Sequence, residues 1–322
     1  MRTCLVLLAI VGFAFPPAVA AAAPTWPTET VRIVVPYGAG SATDIVPRLV
    51  FEELAPQLGQ SVVVENRPGA GGTVGAGFVA NAKPDGYTLL VNSTAHTIAP
   101  ALYQKPSYDP ARDFAAVIPL GISPNVLVAS PAKGFKTIGD LVAAAKAKPE
   151  GLTLASVGVG SATHLSGERF CFSAGVKAVH VPFKGGAEAM AEVMAGRVDF
   201  FFGPVGLVLP LVQAGKLAAL VVSGTARAAA LPDVPTTREA GFADAEYPIW
   251  FGLFAPAKTL SPVLDTLHDQ VLKALQVSKV HDGLSALGVD PMVMTRADFA
   301  AYVEKQFAVN ADLVKAIGLK PE

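Results

Sequence analysis

Arg32-Ile33-Val34-Val35-Pro36-Tyr37-Gly38-Ala39-Gly40-Ser41-Ala42-Thr43-Asp44-Ile45 is the stretch from which the fold is read. Its apolar, β-branched opening predicts a buried strand, which Pro36 stops. Gly38 and Gly40 let the backbone turn tightly and approach a bound group. Ser41, Thr43 and Asp44 offer capping oxygens to a helix expected from Ile45 to Leu58. Strand, glycine turn and helix start together form a site for a small anion, because free N–H groups and the positive end of the helix dipole point at it. The same pattern also serves as an ordinary βα connection, so the remaining sequence has to discriminate.

The chain has 322 residues, a formal net charge of -1, 52% hydrophobic and 16% charged residues. That length suits two domains with separate cores. A near-neutral balance without a run of Lys and Arg gives no footprint for nucleic acid. The one lipophilic span stands at the start. Met1-Arg2-Thr3 is a short basic segment, Cys4 to Phe15 is apolar, and Ala18-Val19-Ala20 is a small-residue cleavage site, with Ala21 to Ala23 as alternatives. The span is shorter than the ~20 apolar residues that cross a bilayer. Residues 1–23 therefore read as a secretory signal peptide, and the mature protein as exported, which in a bacterium means the periplasm. Cys171 is then the sole mature cysteine, which excludes an internal disulfide or a cysteine metal site and fits core packing. The five histidines lack metal-ligand spacing, so neither metal nor cofactor is expected.

Strand-like and helix-like segments alternate along the chain, predicting an α/β fold with mostly parallel sheets flanked by helices. Ser61 to Asn66 and Tyr87 to Val91 are further strands of the first unit, and Arg67 to Thr73 turns into a helix reaching about Ala82. Asn92 to His96 reads as a polar tip after a strand, and Tyr103 to Asp113 as a loop. Thr137 to Asp140 opens a helix through a capping-box variant. Leu152 to Ser156, Ala178 to Pro182, Val198 to Phe202 and Lys216 to Ser223 are strands, with helices over Ala187 to Ala195 and Val205 to Gln213. Tyr247 to Phe254 is a strand returning to the first domain. Ser261-Pro262 marks a helix start, and Thr295 to Asp298 caps a last helix reaching Lys315. The expected division is 24–122 with 247–322 as one domain and 123–246 as the other.

Motifs for catalysis are missing: no Gly-x-Ser-x-Gly elbow, Walker loop or His-Glu-x-x-His occurs. Gly75-x-Gly77-x-x-Ala80 matches a dinucleotide fingerprint but falls inside a predicted helix, away from the turn that such a site needs. A repeat carries more information. Gly40-Ser41-Ala42-Thr43 recurs as Gly160-Ser161-Ala162-Thr163, each after a predicted strand and at a predicted helix start. Two such loops facing one another would hold a carboxylate between two dipole ends, as in a clamshell receptor closing on its ligand.

Val34-Val35-Pro36-Tyr37 with Gly40 and Asp44, Val64 to Gly72, and Pro84-Asp85-Gly86-Tyr87-Thr88-Leu89 resemble the Bug family, periplasmic receptors of tripartite tricarboxylate transporters. His180 to Gly185, Gly196-Arg197-Val198-Asp199, Leu231 to Thr236 and Gly252 to Pro256 continue the resemblance over essentially the whole mature chain. It implies a two-domain periplasmic-binding fold whose cleft takes a small organic carboxylate for a membrane permease. Carried onto this chain, the gripping loops are Tyr37, Gly38, Gly40, Ser41, Thr43 and Asp44 on one side. Gly160, Ser161, Thr163 and His164 are on the other. Ser93, Thr94, Lys184, Gly185, Gly203, Pro204 and Trp250 flank them. The chain departs from the family in Ser41, where Gly is frequent, in Pro47, where a small helix former is usual, and in Gly203, where Asp is frequent. Without an acid at 203 to pair with an ammonium, aromatic or dicarboxylic acids are favoured over amino acids. Pro47 fits only a helix that starts near Asp44. Tyr37, Phe183, Phe202 and Trp250 are read either as walls of an apolar slot or as core residues.

The resulting expectation is a non-enzymatic, monomeric receptor. Two alternatives stay open: an adaptor that binds a ligand and docks on a sensor protein, and a secreted enzyme, which would need a nucleophile paired with a base.

Overall fold

The computed structural model describes residues 26–103, 107–224 and 226–319; the signal peptide expected at 1–23 lies outside them. The opening stretch folds into β1 (Val31–Val35), then a turn, then α1 (Ala42–Leu58) with Ser41 at its N-cap. The helix starts earlier than expected, which puts Pro47 in its second turn, where the missing N–H leaves the Thr43 carbonyl without its helical donor. β2 (Val62–Asn66), α2 (Thr73–Ala80), β3 (Thr88–Ser93), α3 (Ala95–Leu102) and β4 (Phe114–Ser123) complete the first passage. The sequence reading missed α3: its polar opening looks like a loop, yet Ile98, Ala99 and Leu102 are buried. Gly75 and Gly77 lie inside α2. A Cβ on Gly75 would come 2.9 Å from Pro36, so that glycine serves close helix packing and not a dinucleotide.

The chain then crosses to a second sheet through β5 (Asn125–Ala129), α4 (Ile138–Ala147), β6 (Thr153–Ser156) and α5 (Ala162–Ala174). β7 (Val179–Pro182), α6 (Gly186–Met194), β8 (Phe200–Pro204), α7 (Val205–Gln213) and β9 (Ala218–Val222) follow. It returns in β10 (Ile249–Pro256) and ends in α8 (Ser261–Leu275), α9 (Ser278–Ala286) and α10 (Arg296–Ala316). Leu260, not Ser261, is the N-cap of α8, whereas Thr295 caps α10 as read, accepting from the Asp298 amide.

The strand orders are β2-β1-β3-β10-β4 and β7-β6-β8-β5-β9. In each sheet three strands pair in parallel, and the strand arriving from the other sheet, β10 or β5, inserts antiparallel beside them. The two sheets thus share one topology, in which β1 and β6 are equivalent. Each is covered on both faces. In the first lobe, Ile33 and Val35 pack with α1, α8 and α9, whereas Val34 and Trp250 pack with α2 and α10. In the second lobe, Phe200 and Phe202 face α4 and α5, and Phe201 faces α6 and α7. Cys171 is a free, buried thiol in that core.

A buried polar network ties the crossings together. Asn125 Nδ2 donates to Ser166 Oγ at 2.7 Å and to the Tyr247 carbonyl at 3.0 Å. Tyr247 Oη donates to Asn310 Oδ1, and Asn310 Nδ2 to Thr97 Oγ1, both at 2.7 Å. Asn310→Ala strands the Tyr247 hydroxyl in the interior, whereas Thr97 Oγ1 keeps its bond to the Thr94 carbonyl, so a urea titration should show a loss of about 2 kcal/mol. An unchanged midpoint would contradict this role for the network.

Candidate functional site

In the first lobe the turn after β1 is fixed from below. The Gly40 amide donates to Asp44 Oδ2 at 2.9 Å, while Arg48 Nε and Asn66 Nδ2 donate to Asp44 Oδ1 at 2.9 and 2.8 Å. Burial alone would raise the Asp44 pKa, but the hydrogen bonds from Arg48, Gly40 and Asn66 outweigh it and hold the carboxyl below its usual range. The Asp44 and Ile45 amides donate to the Ser41 carbonyl, leaving those of Ala42 and Thr43 as the open donors of the helix start. Ser41 Oγ is buried and has no partner.

In the second lobe the equivalent turn, after β6, is built differently. Ser161 Oγ donates to the Gly158 carbonyl at 2.7 Å and accepts from the His164 amide at 3.3 Å, as a helix cap. Thr163 Oγ1 accepts from the Val157 amide at 3.1 Å. The Gly160 amide donates to His164 Nδ1 at 3.2 Å. Again the first two helical amides, Ala162 and Thr163, are the open ones.

The two helix starts meet. Ser41, Ala42 and Thr43 from one lobe and Ser161, Ala162 and Thr163 from the other line a single crevice, closed by Tyr37, Ser93, Val157, Pro204, Ile249 and Phe251. Tyr37 Oη donates to the Gly71 carbonyl at 3.0 Å, and the Ser93 side chain also bonds to it. Burial raises the phenol pKa and outweighs the opposite pull of the Ser93 hydrogen bond, so Tyr37 stays neutral. The crevice measures about 30 Å³, enough for a water or two and far below the ~300 Å³ of the smallest ligand pockets. The lobes are therefore drawn together, and admitting a metabolite requires them to part. Contacts across the gap agree: Tyr103 Oη donates to the Val159 carbonyl at 3.2 Å, and a Cβ on Gly160 would come 3.1 Å from Leu102.

Other expected contacts fall elsewhere. Trp250 is 1% exposed and packs edge-on against Phe299 and Tyr302, because strand alternation turns Ile249 and Phe251 to the crevice and Trp250 away from it. Phe202 is a core residue and Phe183 packs beside the other core, so of the four aromatics only Tyr37 reaches the crevice. Thr94 is buried, its Oγ1 accepting from the Trp250 amide at 3.1 Å. Asp44 and His164 brace glycine amides beneath the loops. Gly38 lies at the rim, where a Cβ would come 3.7 Å from the carbonyl of the exposed Lys184. A Cβ on Gly203 would clash with the Phe201 ring and come 3.0 Å from Val208. A side chain at 203 would thus enter the core, and the lack of an acid there says nothing about an ammonium on the ligand.

Sequence reasoning found no nucleophile–base pair, yet Ser156 Oγ lies 2.6 Å from His180 Nε2. Ser156 is fully buried and its hydroxyl also engages the Gly158 backbone at 3.1 Å, so no substrate can reach it. Among the described residues no group of His, Cys, Asp or Glu is placed to hold a metal ion. A larger groove of about 910 Å³ runs between α4, α5 and β7. It lacks the convergent backbone donors of the crevice, and it is the polar convergence that marks a binding site.

Residues 46–319 match the tripartite tricarboxylate transporter receptor family. The structure of the periplasmic binding protein BugD is 33% identical, with a TM-score of 0.86 over 92% of this chain and 100% of that one. A Rhodopseudomonas palustris protein solved with adipate is 32% identical, with a TM-score of 0.88 over 92% and 100% of the two chains. MatC of the same organism, solved with malate, is 34% identical, with a TM-score of 0.85 over 90% and 100%. Two sheets of one topology, joined by reciprocal strand crossings and meeting at paired helix starts, therefore belong to a Bug-type member of the tripartite tricarboxylate transporter receptor family.

Proposed function

We propose that the protein is exported to the periplasm, captures a small dicarboxylate between its lobes and delivers it to a tripartite tricarboxylate permease. The observation that carries this reading is the convergence of four open helix-start amides, Ala42, Thr43, Ala162 and Thr163, beside the unpartnered Ser41 hydroxyl. Such donors bind an anion without any Arg. Relatives solved with adipate and malate support the ligand class. Bending at Ser123 to Asn125 and at Tyr247 to Pro248 would open the cleft.

The two serines separate binding from folding. Ser41→Ala removes a hydroxyl with no protein partner, so it should weaken adipate or malate binding by about 10- to 100-fold in calorimetry without lowering the melting temperature. Ser161→Ala removes a helix cap as well and should cost about 1 kcal/mol of stability. Unchanged affinity in both variants, or no stabilisation of the wild-type protein by any of a panel of mono- and dicarboxylates, would overturn the proposal.

A further inference from the structure

The two gripping loops extend their identity by one position in structure, though not in sequence. Gly40-Ser41-Ala42-Thr43 is followed by Asp44 and Gly160-Ser161-Ala162-Thr163 by His164, and each fifth residue accepts the amide of its glycine. Asp44 is a carboxylate whose charge is met by Arg48 at 2.9 Å. His164 has no such cation. Its ring is 2% exposed and stacks on His180, with centroids 3.7 Å apart and planes 16° from parallel. His180 is tied in turn to Ser156, whose hydroxyl holds Gly158 of the same loop.

We infer that His164 is a positioning residue of the second gripping loop: its Nδ1 lone pair holds the Gly160 amide, so the ring carries its one proton on Nε2. An imidazolium would set Nδ1–H against Gly160 N–H, donor against donor. Nε2 is buried without a hydrogen-bond partner, Glu168 Oε1 lying 3.6 Å away. Glu168 on α5, His180 on β7 and Tyr103 across the lobe gap are the titratable groups facing this assembly. A neutral acceptor is what this position requires. A carboxylate here would itself take up the positive field at the start of α5, whose first turn carries no acid, and would repel an anion held by the open amides that line the crevice.

The consequence for affinity rests on the carboxylate-receptor reading, whereas the hydrogen bond itself does not. In ¹⁵N-histidine-labelled wild-type protein at neutral pH, NMR should show His164 protonated on Nε2 alone, and the Gly160 amide should be protected from exchange. His164→Asn keeps an acceptor near Nδ1 and should retain that protection; His164→Phe keeps a ring but should lose it. Adipate and malate affinity should fall less than about threefold in the Asn variant and about tenfold or more in the Phe variant. His164→Asp should also bind about tenfold more weakly despite its intact acceptor, through like-charge repulsion. A proton on Nδ1, or equal Gly160 exchange in wild type and His164→Phe, overturns the inference. If wild type binds neither acid, the receptor reading fails, and the tautomer and exchange measurements still decide the role of His164.

Discussion

Gly71→Ala is expected to weaken carboxylate binding by a hundredfold or more while leaving both cores folded. Gly71 lies in the loop before α2, at a φ of +61°. A Cβ there would stand 2.5 Å from the Val159 carbonyl and even closer to the Tyr103 hydroxyl. Tyr103 belongs to the same lobe and can swing aside. Val159 belongs to the opposite loop and can yield only if the lobes separate. Separation beyond what the ligand itself requires withdraws the Ser161 end from the anion, and each hydrogen bond to a charged group contributes about 1.5–3 kcal/mol. Losing two such bonds gives about 3–6 kcal/mol, which is at least a hundredfold in affinity. The left-handed backbone adds a destabilisation of about 1–2 kcal/mol, which calorimetric melting should register as a modest drop. Small-angle scattering at millimolar adipate should show the variant as extended as the ligand-free protein. Full affinity, or ligand-induced compaction equal to wild type, would show that Gly71 does not gate closure.

That gate was not readable from sequence, and its invisibility is instructive. Gly71 is one of three glycines, with Gly69 and Gly72, all consistent with a turn. Only the fold brings one of them against the other lobe, 88 positions along the chain from Val159. The repeated tetrapeptide was legible because identical local chemistry follows equivalent strands, and strand periodicity placed both copies correctly. What sequence could not supply is the different use of identical residues. Ser161 caps its helix by accepting from the His164 amide, whereas the equivalent Asp44 amide donates to the Ser41 carbonyl and Ser41 Oγ is left facing the crevice without a partner. Strand parity explains the misplaced Trp250. The order Ile249-Trp250-Phe251 fixes which residues share a face, but the face that looks at the cleft is set by where β10 inserts between β3 and β4. The missed α3 has a related cause. Its amphipathic character depends on α10 covering it, a contact made by residues more than 190 positions away.

Acid should destabilise the protein in a window set by buried histidines, and His96→Phe should narrow that loss. His96 is 1% exposed, stacked on Phe254 with ring centroids 4.2 Å apart and edge-on to Phe114 at 5.2 Å. Its Nδ1 is buried without a partner. Burial pushes the ring down to about 3, a backbone hydrogen bond at Pro110 pulling only weakly the other way. His180 is likewise pushed down to about 3, by burial and then by the neighbouring His164. Both folded-state values lie below the ordinary histidine range, so below about pH 6.5 the unfolded chain takes up protons that the folded one refuses. Stability is therefore full above that pH and falls as the pH drops toward 3, by about 1.4 kcal/mol per pH unit for each fully refusing site. Phenylalanine at 96 keeps the aromatic contacts and removes the titrating nitrogen. Between pH 7.5 and 4.5 the wild type should lose about 3 kcal/mol more than His96→Phe in urea titrations, the remaining slope belonging to His180 and the carboxylates. At pH 7.5 the two proteins should differ by no more than the unpaired Pro110 carbonyl, about 1–2 kcal/mol. Parallel stability curves over the whole range would mean that His96 is protonated in the folded protein.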